Sequence, residues 1–134
     1  MRTYVFDTDI AIYWLKGNEQ IRNRVLQVGP DNLRITIITL AELHFGAYNS
    51  QKREQNLSHI RDFLRKVTVL SFDEKAADRF GQVKATLRKS GEIIEDFDIL
   101  IASIAIVQNA VLVTNNTNHF ERIPGLHLEN WLKQ

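Results

Sequence analysis

No cysteine occurs anywhere in this 134-residue sequence. Disulfide scaffolds, thiolate zinc sites, cysteine nucleophiles and iron–sulfur clusters are excluded together. The absence suits a reducing compartment without requiring one. Long apolar runs are lacking too, and nothing approaches the roughly 18 consecutive apolar residues that a membrane span needs. The stretch Met1-Arg2-Thr3-Tyr4-Val5-Phe6-Asp7 carries an aspartate where a signal peptide requires an apolar core. A soluble, cytoplasmic protein with no membrane partner is therefore expected. An excess of one charge is also missing, since the formal net charge is +1 and the pI ≈ 8.1. Nucleic-acid binders often carry a strong positive balance, so the totals are silent about partners and only local segregation of charge can matter.

Hydrophobic residues make up 44% and charged residues 25% of the chain, the balance of an ordinary globular protein. Its length fits one domain spanning residues 1–134, large enough to bury a core without staples. Thr3 to Phe6 reads as a strand ending at Asp7, and Ile10 to Leu15 as a short helix closed by Lys16-Gly17. Asn18 caps a second helix bearing Ile21, Val25, Leu26 and Val28, and Gly29-Pro30-Asp31-Asn32 is a turn. Leu33 to Ile38 is a β-branched second strand, after which Thr39-Leu40-Ala41-Glu42 opens a helix through about Ser50. Lys52 to Lys66 is amphipathic, Val67 to Phe72 is a third strand, and Asp73 caps a helix carrying Ala76, Ala77, Phe80, Val83 and Leu87. Ile99 to Val107 is apolar on nearly every side, which predicts a helix buried in the middle of the domain. Val111 to Val113 is a fourth strand and Leu126 to Leu128 a fifth. Strands alternating with helices predict an α/β fold, with a mostly parallel central sheet flanked by helices.

Ligands of such sheets bind beyond the carboxyl ends of the strands. Asp7 follows the first strand, with Asp9 two residues on; Glu42 lies a helical turn after the second; Asp98 begins the buried helix; Thr114, Asn115 and Asn116 follow the fourth. Three carboxylates from distant parts of the chain thus meet on one rim, where like charges repel unless a cation neutralises them. Oxygen ligands without a His/Cys cluster favour a hard cation, Mg²⁺ or Mn²⁺. Such an ion suits phosphodiester hydrolysis by activating a water and stabilising phosphate charge. Each acid also has a plainer reading. Asp7-Thr8-Asp9 can cap the first helix, Thr39-x-x-Glu42 spells a capping box, and Asp98 can complement a helix dipole. Their shared location, rather than any single acid, points to chemistry.

Four segments carry a resemblance. Phe6-Asp7-Thr8-Asp9-Ile10, Thr39-Leu40-Ala41-Glu42-Leu43-His44-Phe45-Gly46-Ala47, Gly91 through Asp98-Ile99-Leu100-Ile101-Ala102, and Val113-Thr114-Asn115-Asn116-Thr117 with Phe120-Glu121-Arg122-Ile123-Pro124-Gly125-Leu126 resemble, in order and spacing, the motifs of PIN-domain ribonucleases of the VapC type. The resemblance covers nearly the whole chain. It implies a single PIN-like domain, a Mg²⁺-dependent endoribonuclease, and the toxin of a toxin–antitoxin pair. It further implies a homodimer inhibited by a VapB-like antitoxin. Asp7, Glu42 and Asp98 match the metal-binding acids, with Thr114, Asn115, Asn116, Asp9 and Asp96 in support. Many relatives place a fourth acid in the terminal motif, where this chain has His119 before Phe120 and a neutral Asn116. One tightly held ion, or a second ion recruited with RNA phosphate, follows from that departure. Glu95 and Asp96 either make up the missing charge or cap a helix.

A metal mechanism draws its nucleophile from water, so His119 is not required as a general base; His44, His59 and His127 show no ligand spacing. Lys52-Arg53, Arg61, Arg65-Lys66, Lys84 and Arg88-Lys89 are basic clusters, either solvated faces or phosphate contacts. Trp14, Phe45 and Tyr48 suit core or dimer contacts better than base stacking. Two other readings compete. Strand-Asp7-x-Asp9 is similar to the nucleophile motif of haloacid-dehalogenase-like phosphatases, in which Asp7 would form an aspartyl-phosphate; the terminal motif is then unexplained. A PIN fold kept only for binding a partner would account for His119 but not for three retained acids.

Overall fold

The computed structural model describes residues 2–132. Five short strands, β1 (Tyr4–Phe6), β2 (Leu33–Thr36), β3 (Thr68–Leu70), β4 (Val111–Val113) and β5 (His127–Glu129), form one sheet in the order β3-β2-β1-β4-β5. Every neighbouring pair is parallel, so each connection must cross over and carries helices. Helices α1 (Thr8–Leu15) and α2 (Glu19–Val28) join β1 to β2; α3 (Ile37–Tyr48) and α4 (Arg53–Leu64) join β2 to β3; α5 (Glu74–Lys89) and α6 (Asp96–Val107) join β3 to β4. A short α7 (Thr117–Phe120) precedes β5. No helix among the described residues is long and apolar enough to cross a membrane.

The winding explains where a site can form. The chain runs outward from β1 through β2 to β3, then returns to the other side of β1 for β4 and β5. β1 and β4 are neighbours where that direction reverses, and α/β sheets open a crevice at such a point. Their register pairs Phe6 with Val113, which brings the next residues, Asp7 and Thr114, together beyond the strand ends. The period-2 alternation of the strands divides the core between two faces. Phe6 and Val113 pack with Ile10, Ile21, Ile35 and Phe63 on one side. Val5 and Leu112 pack with Leu87, Ile99, Ala102 and Phe120 on the other.

Helix α6 is buried as its composition predicts, with Ile99, Ile101, Ala102, Ser103, Ile104 and Ala105 all inside. The caps at Asn18 and Asp73 form as expected: their side chains accept from the backbone N–H groups of Ile21 (3.0 Å) and Ala76 (2.9 Å). Gly29 takes φ 94, a left-handed conformation that side-chain-bearing residues avoid.

Three helices start two or more residues earlier than the sequence reading places them. β2 ends at Thr36, and α3 begins at Ile37 rather than Thr39. Thr36 is fully buried, and its hydroxyl accepts from the Thr39 N–H at 3.1 Å. A good cap has overridden the strand propensity of Ile37 and Ile38. Thr39 therefore lies inside the first turn, and the Thr39-x-x-Glu42 capping box does not form. Likewise α1 starts at Thr8, with Asp7 as its N-cap, and α6 starts at Asp96 rather than Ile99.

Removing the Thr36 hydroxyl leaves a buried N–H without its partner. Thr36→Ala is expected to lower unfolding free energy by about 1–3 kcal/mol. In urea titration the midpoint falls at unchanged slope; an unchanged midpoint would refute the cap.

Candidate active site

Asp7 stands where β1 becomes α1 and is 7% exposed. Its Oδ1 accepts from the Thr8 N–H at 2.9 Å and its Oδ2 from the Thr114 hydroxyl at 2.8 Å. Thr114 is fully buried beyond β4, and its oxygen in turn accepts from the Asn116 N–H at 3.0 Å. Burial first, and the Asp9 charge second, push the Asp7 carboxyl from its ordinary 3.8 up to about 7, against the opposing hydrogen bonds from Thr114 and Thr8. Asp98 adds a smaller upward push.

Asp9 sits in the first turn of α1. Its Oδ1 accepts from the Ile10 N–H at 2.7 Å and its Oδ2 from the Asn115 N–H at 3.1 Å. Burial raises its carboxyl above the usual range, and the Asp98 charge adds to the rise. Glu42 reaches the same region from the second turn of α3. Its Oε1 accepts from the Thr8 hydroxyl at 2.6 Å, and that hydroxyl lies 3.0 Å from the Thr39 hydroxyl. A hydroxyl has one proton; Thr8 gives its own to Glu42, so Thr39 donates to Thr8. The side chain of Glu42 thus turns to α1 rather than back to its own helix.

Asp98 lies in the first turn of α6, half-buried, with Oδ2 3.0 Å from His119 Nε2. The asparagines act through their backbone: the Asn115 N–H serves Asp9 and the Asn116 N–H serves Thr114. Asp96 turns instead to Lys84, 2.9 Å away, and Glu95 occupies the N-cap of α6 without a side-chain cap bond. The structure therefore links Asp7, Asp9, Glu42 and Asp98 through shared hydrogen bonds and mutual charge, and leaves Asp96 on an exposed ion pair.

Among the described residues, Asp7, Asp9 and Glu42 take part in no ion pair with a lysine or arginine. Nor do any three His, Asp or Glu side chains among the described residues stand together in an arrangement that could by itself hold a metal ion. The acids themselves offer only hard oxygen donors, a chemistry that suits Mg²⁺ or Mn²⁺, ions that keep several waters.

Sequence reasoning overlooked Thr8, which ties Asp7 to Glu42, although it stands between two acids already singled out. It also overlooked Arg122 and Glu92. Arg122 Nη2 lies 3.2 Å from His119 Nδ1, and its Nη1 donates to Glu92 Oε2. The only signal was the three-residue step from His119 to Arg122. Phe45 and Tyr48 are exposed on α3, so they are not core residues, whereas Trp14 packs against Phe6 with ring centroids 6.4 Å apart.

The PIN domain family model matches residues 4–126. The chain is 41% identical over 132 residues to Ribonuclease VapC2 of Rickettsia felis, covering 97% of this chain and 98% of that protein. It is 36% identical over 131 residues to the tRNA(fMet)-specific endonuclease VapC of Shigella flexneri, covering 98% and 99%. Among solved structures it is similar to VapBC2 from Rickettsia felis bound to a promoter DNA fragment, with TM-score 0.92, 40% identity and coverage of 96% and 98%. It is also similar to DNA-bound VapBC from Salmonella typhimurium, with TM-score 0.92, 37% identity and coverage of 98% and 99%. A parallel sheet that gathers acids at its winding reversal, matched along almost its whole length, makes this chain a member of the PIN-domain family, in its VapC group.

Proposed function

We propose that the chain is a Mg²⁺-dependent endoribonuclease, with Mn²⁺ able to substitute, and the toxin of a VapBC-type pair. The observation that carries the reading is Asp7: an almost fully buried carboxyl, crowded by Asp9 and Asp98, with no lysine or arginine to neutralise it among the described residues. Folding concentrates negative charge there at a cost in stability, and a divalent cation is what offsets it. The naming of 36–41% identical relatives as ribonucleases and as a tRNA-specific endonuclease supports RNA as the substrate. The VapBC assemblies among its structural neighbours support a VapB-like antitoxin as partner. A homodimer acting in the cytoplasm, each protomer one domain over residues 1–134, completes the proposal.

Asp7, Glu42 and Asp98 would hold the ion. When bound, it lowers the pKa of a water near the scissile phosphate and offsets charge on the phosphate and the leaving oxygen. The chain's own task is to hold its oxygens still. Thr114 and the Thr8 N–H fix both oxygens of Asp7, the Thr8 hydroxyl fixes one oxygen of Glu42, and His119 fixes one of Asp98. Asp9, whose two oxygens are held by the Ile10 and Asn115 N–H groups, adds its charge in a supporting role. Such prior arrangement means that little reorganisation accompanies the reaction.

The direct test is cleavage of a labelled structured RNA by antitoxin-free protein, with Mg²⁺ or EDTA. Cutting is expected to require the metal and to leave 5′-phosphate and 3′-hydroxyl ends; cyclic phosphate ends would sink the metal-and-water reading. Asp7→Asn and Asp98→Asn are each expected to slow cleavage by more than about 100-fold, beyond the loss typical of an outer-shell partner, with the circular dichroism spectrum unchanged. Loss of activity that tracks unfolding would assign these acids to stability instead.

The raised Asp7 carboxyl adds a pH signature. A neutral Asp7 favours the folded state, an advantage fully present below the unfolded value of 3.8 and lost as pH rises through about 7. In EDTA, wild-type stability should therefore fall across that window, at roughly 1.4 kcal/mol for each unit of pKa difference. Asp7→Asn, which cannot ionise, should be the more stable protein above pH 7, on the order of 4 kcal/mol, and gain nothing near pH 4. Thermal unfolding in EDTA reads this out, and wild type equal to the variant at both ends would contradict it.

A further inference from the structure

His119 occupies the position where the resemblance leads one to expect an acid, and the proposed reaction gives it no proton to move. Its surroundings define a different task. Nε2 lies 3.0 Å from Asp98 Oδ2, and Nδ1 lies 3.2 Å from Arg122 Nη2. The Arg122 Nε–H reaches the His119 carbonyl at 3.4 Å, and Nη1 donates to Glu92 Oε2. The imidazole stands edge-on to the buried Phe120, with centroids 5.4 Å apart and planes at 82°. A ring held from three sides has one orientation.

A guanidinium offers only N–H donors. Facing Arg122, Nδ1 must present its lone pair, which leaves the ring proton on Nε2, aimed at Asp98. We infer that Arg122 sets the Nε2–H tautomer of His119 and so makes His119 the positioning residue for Asp98. The tautomer rests on geometry alone; its purpose rests on the proposed nuclease reading, which gives Asp98 its task. Neither ring nitrogen is then free to act as a general base. The arrangement holds Oδ2 with a donor and adds no further negative charge to the rim, while Oδ1 accepts no hydrogen bond among the described residues. Donors of this kind orient ligating carboxylates in metal sites. The chain from Glu92 through Arg122 and His119 to Asp98 also fastens the segment before α6 to the turn after α7.

The test uses the full chain, metal-free and with ¹⁵N-labelled histidine. Long-range ¹H–¹⁵N spectra resolve the tautomer of each of its four histidines, and the signal missing from His119→Gln identifies His119. The expected result is Nε2–H for His119 in wild type and a mixture of tautomers in Arg122→Ala, with the other three rings unchanged. Calorimetry with Mn²⁺ alone supplies the second readout. His119→Ala is expected to weaken Mn²⁺ binding by about 10–100-fold, and His119→Gln, whose amide N–H can still donate to Asp98, to restore it to within about threefold of wild type. A wild-type ring protonated on Nδ1, a tautomer indifferent to Arg122→Ala, or equal Mn²⁺ affinity in the Ala and Gln variants overturns the inference. Should either His119 variant fail to fold, the Arg122→Ala spectra still decide it. A wild type that shows Nε2–H yet cuts no RNA supports the tautomer and removes the nuclease reading instead.

Discussion

The burial of one carboxyl group at the junction of β1 and β4 is the constraint on which the rest of the structure depends. A carboxylate withdrawn from water is costly unless its oxygens find donors, and Asp7 finds them in the Thr8 N–H and the Thr114 hydroxyl. The second is there only because of the sheet. The Phe6–Val113 register sets Thr114 beside Asp7, and the Asp7 N–H extends the ladder to the Val113 carbonyl at 2.9 Å. The same residue starts α1, so the direction of the first helix, the pairing of the two central strands and the position of the acid are one feature. A shift of β4 by a single residue would turn Val113 out of its core cluster and take Thr114 from Asp7 at once.

The other acids are brought to this point by elements of differing rigidity. Asp98 leads α6, whose apolar surface is enclosed on nearly all sides, so its backbone cannot shift without disturbing Ile99, Ile101 and Ile104 together. Glu42 is carried on α3, which exposes Phe45 and Tyr48, and a side-chain bond from Thr8 fixes its end. The rim thus combines a carboxylate held by packing with one held by a hydroxyl. That division suits a site whose members come from separate crossovers and have no common backbone to align them.

Much of this was legible in the sequence, because periodicity and position relative to a strand end are local properties. The alternating apolar residues of β1 and β4, the amphipathic α5 and the enclosed α6 follow from residue order alone. So does the placement of Asp7 and Glu42 after strand ends and of Asp98 at the start of the buried helix. The boundary at Thr36 was misread because Ile35 to Ile38 is β-branched, and strand propensity and capping compete over the same residues. The capping-box alternative for Glu42 fails for the same reason: its spacing from Thr39 fits a box that forms only if the helix starts at Thr39. Thr8 as donor to Glu42, and Arg122 as partner of both His119 and Glu92, were not legible. Thr8–Glu42 and Arg122–Glu92 join separate crossovers, and no local pattern encodes which turn faces which.

A long-range bond distinguishes the acids of this site from polar residues that serve only their own helix. Asp73 caps α5 by bonding three residues ahead, and Asn18 does the same in α2; each would form in an isolated helix. Asp7 is bonded across 107 residues, Asp9 across 106, Glu42 across 34 and Asp98 across 21. A side chain held by its own helix turns with that helix, whereas one held by another element keeps its place only while both remain packed. The four like charges are therefore held together by the cooperative stability of the whole fold rather than by any local structure. Partial unfolding of β4 or α7 would release Asp7, Asp9 or Asp98 from its partner, and mutual repulsion would then drive the acids apart. Domains of this size are only marginally stable, so the folding free energy that confines these charges is itself limited. A cation that bound the assembled rim and not the unfolded chain would add to that free energy by mass action, so the ion of the proposed reaction would stabilise the fold as well.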